Sequence, residues 1–234
     1  TRERVAMFDE TSFSKLEVIG TASLAFLQYI TDNQMDQPVG TITYTSMLNK
    51  RGGIECDLTV TRLAADRFQI VTGTAFGNHD LTWIRSQAPT DDSVYVNDIT
   101  SSRCCIGVWG PRARDVMQQV SENDFSNEAF PYLTAQSVTL GDIPALALRV
   151  TYVGELGWEI YAPMEYGLKL WDTLWEAGQP LGMLAAGYRA IESLRLEKGY
   201  RYWSADIHSE YNPYEAGLGF AVKLQKGDFL GKAA

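Results

Sequence analysis

Hydrophobic and polar residues alternate from Phe13 to Ile19, the pattern of a half-buried strand. Thr21 to Ile30 then places Leu24, Leu27 and Ile30 at helical spacing. Arg67 to Thr72 alternates like a strand, and a helix rich in aliphatic and aromatic residues is expected up to about Ser86. Cys105 to Trp109 is an apolar strand ending at Gly110-Pro111, and Ala113, Val116, Met117 and Val120 form an i, i+3, i+4, i+7 stripe after it. Pro111 suits the first helical position, where its missing N–H has no partner. This strand–Gly-Pro–helix step resembles the earlier strand–Gly20–helix step. Two strands are expected around Gly141-Asp142-Ile143-Pro144, and an amphipathic helix is marked by Leu168, Trp171 and Trp175. Tyr188 to Lys198 reads as a helix stopped by Gly199, and Gly217 to Leu224 as a strand. The pattern predicts an α+β chain in two related lobes, approximately 1–40 plus 137–234 and 41–136.

Composition narrows the function classes. Hydrophobic residues at 45% and charged residues at 21% are ordinary globular usage. No apolar run is long enough to span a bilayer as a helix, so no membrane partner is expected. The formal net charge of −9 argues against a general nucleic-acid surface, which needs clustered Lys and Arg. Three cysteines, Cys56, Cys104 and Cys105, cannot make a disulfide framework. A reducing compartment is expected: the cytoplasm, or the mitochondrial matrix in a eukaryote. With His79 and His208 as the only histidines, and no CxxC or HxxxH spacing, no metal site is expected. A Cys56–His nucleophile needs His79 or His208 nearby, and nothing in the pattern brings either close. No GxGxxG follows a strand, so FAD or NAD binding in a Rossmann lobe is not expected here.

Three segments could carry chemistry. In Tyr44 to Val60, two strands are joined by Asn49-Lys50-Arg51-Gly52-Gly53, which reads as a tight hairpin. Leu58 and Val60 share one face, while Asp57, Thr59 and Thr61 share the other. Asp57 then starts the second strand on a polar face, either as a solvated residue or hairpin cap, or as a carboxylate served by a cationic or N–H-rich ligand. In Tyr152 to Tyr161, Gly157, Glu159 and Tyr161 share a face opposite Trp158 and Ile160. That face is either ordinary exposed strand or a slot for a flat heterocycle, with Glu159 accepting paired N–H bonds. Arg189 to Gly199, with Glu192, Arg195 and Glu197, reads as a solvated helix face with weak ion pairs.

Four ordered blocks carry a resemblance: MFDETSFSKLEV, YTSMLNKRGGIECDLTV, YVGELGWEIY and GYRAIESLRLEKGYRYWSADI. Together they resemble the glycine-cleavage T-protein (aminomethyltransferase) family over nearly the whole chain. Within it, the likeness is to the folate domain of dimethylglycine and sarcosine dehydrogenases and dimethylglycine oxidase. The resemblance implies mixed sheets with flanking helices around a central tetrahydrofolate cavity. It also implies more sequence at the N-terminus and a C-terminal barrel lobe, so this chain is expected to be part of a longer one. The family's catalytic aspartate falls on Asp57 and its pterin-gripping glutamate on Glu159. Folate contacts fall on Tyr44, Thr59, Val71, Ile160 and Tyr161. Ile191 stands where glycine-cleavage proteins carry Arg, and Arg189 lies two residues earlier.

By this resemblance the domain passes a one-carbon unit, from an iminium or formaldehyde equivalent of an N-methyl amine, to tetrahydrofolate. FAD belongs to a domain outside this chain. Arg51, Arg62 and Arg85 are candidates for holding the anionic folate tail. Two alternatives stay open: a glycine-cleavage aminomethyltransferase with a lipoyl-carrier partner, and a non-catalytic folate-binding regulatory protein of the same fold.

Overall fold

The computed structural model describes all residues, 1–234. In chain order the elements are β1 (Ala6–Asp9), β2 (Ser14–Ile19), α1 (Ser23–Ile30), β3 (Ile42–Leu48), β4 (Ile54–Ala64), β5 (Arg67–Thr72), α2 (Gly77–Gln87) and β6 (Tyr95–Asp98). They continue as β7 (Arg103–Trp109), α3 (Ala113–Val120), β8 (Ala135–Leu140), β9 (Ile143–Leu148), β10 (Gly157–Pro163), α4 (Gly167–Gly178), β11 (Leu184–Ala186) and α5 (Tyr188–Lys198). No helix is long and apolar enough to cross a membrane.

Contacts divide the chain into one unit of residues 1–12 and 100–200 and another of 13–99 and 201–234. This corrects the expected lobe boundaries. β1 pairs with β7 through Phe8 and Gly107, and β2 pairs with β5 through Leu16 and Ile70. Each ladder joins segments that the expected division assigned to different lobes.

The 13–99/201–234 unit holds an antiparallel sheet in the order β3-β4-β5-β2-β6. Alternation sends Leu16, Val18, Leu58, Val60, Phe68 and Ile70 to one face, where Leu27 and Ile30 of α1 and Ile84 of α2 complete a core. Each such side chain contributes about 1.5–3 kcal/mol of transfer energy on burial. The 1–12/100–200 unit holds a mixed sheet, β11-β1-β7-β10-β9-β8, in which only the β1–β11 pair is parallel. Met7, Ile106, Val108, Trp158 and Ile160 form its core with Val116 and Met117 of α3 and Leu170 and Leu174 of α4.

The paired strand–Gly–helix steps do match. Gly20 and Gly110 take φ of 130° and 141°, where an added Cβ would lie 2.2 Å from Ser93 O and 2.3 Å from Arg4 O. Several expectations fail in detail. Pro111 lies in the turn before α3, which starts at Ala113. The buried stripe of α4 is Leu170, Leu174 and Gly178, with Leu168 exposed and Trp171 and Trp175 only flanking the core. Gly217 to Leu224 is not a strand: Gly217 has φ 72°, and Ala221 and Val222 donate to Leu218 O and Gly219 O in successive turns. β4 starts at Ile54, so Asp57 lies within the strand rather than at its beginning.

Candidate functional site

The β3–β4 hairpin carries the first group of candidate residues. Asn49 N–H bonds Gly53 O at 2.8 Å, and Gly52 takes φ 80°. Gly53 is required by a close approach, since a Cβ there would lie 1.9 Å from Ser209 O. The register sets Ser46 opposite Asp57 and Tyr44 opposite Thr59, which in turn lies opposite Val71 on β5. Tyr44, Asp57, Thr59 and Val71 therefore come together on the sheet face turned away from the α1–α2 core.

Asp57 is half-buried as a residue, but its Oδ1 is enclosed and has no hydrogen-bond partner in the protein. Tyr44 donates to the carboxylate. Burial pushes the Asp57 carboxyl up to about 7, against the pull of the Tyr44 bond and with help from the charges of Asp32 and Asp80. Both neighbours are buried and anchored. Asp32 Oδ1 accepts from Thr45 Oγ1 at 2.8 Å and from Ser46 N–H at 2.9 Å. Asp80 Oδ2 accepts from Thr72 Oγ1 at 2.6 Å, and its Oδ1 lies 2.9 Å from His79 Nδ1.

The core face holds a contact that the sequence pattern concealed. Donor atoms of Cys56, His79 and Asp80 lie within 4.8 Å of one another, contrary to the expectation that no histidine approaches Cys56. Strand β4 and the first turn of α2 bring them together across 23 residues of chain. Burial pushes the Cys56 thiol well up, and Asp80 raises it further, so it is not a ready nucleophile. Cys56 and His79 both engage Asp80, a closed hydrogen-bonded cluster.

The second group of candidate residues lies on β10, in the 1–12/100–200 unit. Glu159 faces Gly107 of β7, and Tyr161 faces Cys105. Tyr161 OH donates to Glu159 Oε2 at 2.5 Å, and burial keeps the phenol protonated by raising it well above its usual value. Gly157, placed by alternation on the face of Glu159 and Tyr161, leaves the room of its missing Cβ to Val108 O and the Trp109 ring. Ile160 points its side chain into the apolar core, leaving its backbone as the part able to meet a ligand. Glu10, absent from the sequence-based set, is fully buried, and its carboxylate lies within 4.8 Å of Glu159 and Cys105. Its place in the block MFDETSFSKLEV was the available signal. Ile191 packs with Phe8, Trp109 and Val153, while Arg189 is exposed. Arg195 is buried rather than solvated, bonding Glu192 and Tyr200 O.

Of the tail candidates, Arg62 bonds Asp36 and Gln37 O, and Arg85 bonds Val96 O. Arg51 is exposed at the hairpin tip. A family model described as the GCVT N-terminal domain matches residues 1–226. The chain belongs to that family. This GCVT domain is 41% identical over its whole length to a 4-methylaminobutanoate oxidase (formaldehyde-forming) from Paenarthrobacter nicotinovorans, of which it covers 28%. It is 37% identical over 99% of its length to human mitochondrial dimethylglycine dehydrogenase, covering 27% of that protein. The glycine cleavage system aminomethyltransferase T of Bartonella henselae shares its fold, with a TM-score of 0.86 and 27% identity over 100% of this chain and 62% of the other. The domain thus spans little more than a quarter of the two dehydrogenase-type and oxidase-type relatives.

Proposed function

We propose that this GCVT domain binds tetrahydrofolate and passes to it a one-carbon unit derived from an N-methyl amine, giving 5,10-methylene-tetrahydrofolate. One observation carries this: Asp57 Oδ1 is enclosed on a polar sheet face with no donor from the protein. Leaving a buried acceptor unmet costs on the order of 1–3 kcal/mol, which a ligand N–H or cation offsets. The relatives' names, a formaldehyde-forming oxidase and a dimethylglycine dehydrogenase, support a one-carbon donor of this kind. FAD, which would generate that donor, is assigned to a domain outside this chain.

Each residue then has a task. Glu159, braced by Tyr161, offers carboxylate oxygens to the guanidine-like N–H edge of the pterin. Tyr44, Thr59 and Val71 lay the ligand along the sheet, and the backbone at Ile160 adds a polar contact. Asp57 steadies positive charge on the donor by fixed electrostatics. An iminium donor and tetrahydrofolate yield methylene-tetrahydrofolate, free amine and one proton. Asp57, poised at about 7, accepts that proton from the folate nitrogen near neutral pH.

Calorimetric titration of the intact protein with tetrahydrofolate tests the proposal. Binding is expected, with Kd raised about tenfold or more in Glu159→Gln, which removes a charge-assisted pair. Asp57→Ala keeps most of the affinity and slows transfer. Absence of any binding heat in the wild type refutes the proposal.

A further inference from the structure

The face that carries Asp57 is polar well beyond it. Along β4 the residues on this face are Asp57, Thr59 and Thr61, and the register sets Thr61 directly opposite Gln69 of β5. Thr61 and Gln69 are 0% and 1% exposed. Thr61 Oγ1 and the Gln69 side-chain nitrogen are enclosed and make no hydrogen bond within the protein. Ser46 Oγ, across from Asp57, is in the same state. Folded proteins satisfy the great majority of buried polar side-chain atoms, so unmet groups concentrated on one face of one sheet point to an occupant that supplies their partners.

The spacing says what kind of occupant. Thr61 lies four residues from Asp57, which is roughly 13 Å along a strand. A bicyclic ring with its reacting nitrogens at Asp57 does not cover that span, whereas a ligand with an extended arm does. Between the two ends lie Thr59 and Val71, small enough for a ligand to lie over them. The free groups at the far end are a hydroxyl and a carboxamide N–H2, which together offer donors to an acceptor oxygen. Lys15, in the same cross-strand row as Val71, adds positive charge to this face, and Glu17 opposite Gln69 is engaged by Arg67. An anionic or carbonyl oxygen therefore suits this end better than a cation.

We propose that Thr61 and Gln69 form a second subsite on this sheet face, holding a carbonyl or carboxylate oxygen of an extended ligand whose reacting atoms lie at Asp57. This rests on the proposed folate-binding function and adds to it the residues that set ligand length. With the reacting nitrogens at Asp57, the arm beyond the bicyclic ring supplies the oxygen.

The test compares Thr61→Val and Gln69→Leu, both close in shape to the native residues, with the wild-type intact protein. Kd is measured by calorimetry for tetrahydrofolate and for tetrahydropterin, which lacks the arm. Either substitution is expected to raise Kd for tetrahydrofolate about tenfold. The melting temperature of the ligand-free protein should hold or rise, because an apolar isostere leaves no stranded polar atom. An effect confined to tetrahydrofolate assigns the oxygen to the arm, and an equal effect on tetrahydropterin overturns the subsite as a hold on the arm. Unchanged Kd for both ligands in both variants, with wild-type binding intact, overturns the subsite alone and leaves the atoms to water. Failure of the wild type to bind tetrahydrofolate removes the proposed function and the subsite with it.

Discussion

Asp57 is held in an expensive state. Its pKa of about 7 in the fold exceeds that of a free aspartate, so the folded protein binds a proton more tightly than the unfolded chain. Stability from this group is therefore complete below about pH 4 and is lost as pH rises to about 7. Asp57→Asn escapes the loss. By urea denaturation it should be more stable than wild type at pH 8, by on the order of 2–4 kcal/mol, and the gap should close towards pH 4. An equal or lower stability at pH 8 would show that the carboxylate is not strained. The same ionisation predicts that one-carbon transfer rises as pH increases through about 7 and then levels off, read from initial rates across that range. Alternation in the sequence was enough to place Asp57, Thr59 and Thr61 on one face. It could not reveal the charges beneath, because Asp32 and Asp80 reach Asp57 from α1's end and α2, through contacts that no local pattern encodes.

At the level of elements, the end of α1 is closed by a residue far along the chain. Lys226 Nζ donates to Gln28 O, Thr31 O and Asn33 O at 2.6–2.7 Å, and carries its charge beside Asp32. Gln28 O lies in the last turn of α1, where carbonyls have no intrahelical partners, and Thr31 O and Asn33 O follow it in the chain. Lys226→Met strands them, and a loss of about 1–3 kcal/mol in denaturant unfolding is expected. A change within a few tenths would show that water serves those carbonyls equally well. The hairpin depends equally on Gly53: Gly53→Ala drives a Cβ against Ser209 O and should lower the melting temperature by several degrees. Strands and helices with clean periodicity were legible, including β2, β5, β7, α3 and α5. The misread ones share a cause. Trp171 and Trp175 are large enough to mimic the core stripe of α4, which Leu170 and Leu174 hold, and the apolar Gly217 to Leu224 segment folds as turns around a positive-φ glycine.

For the whole molecule, the family was legible from four ordered blocks, while the division into units was not. Strand order depends on which segments pair, and β1 at the start of the chain pairs with β7 about a hundred residues on. Glu159 likewise gained Glu10 as a neighbour through β1 and β7 rather than through its own segment. In the proposed chemistry on bound folate, Asp57 is the group that carries charge and proton. The most direct test of this role is the rate of 5,10-methylene-tetrahydrofolate formation by the intact protein, at saturating tetrahydrofolate and pH 8, in wild type and Asp57→Asn. A rate lower by about a hundredfold or more is expected in the variant, the usual scale for removing a positioned acid–base group, with little change in folate Kd. Equal rates in the two proteins would contradict it.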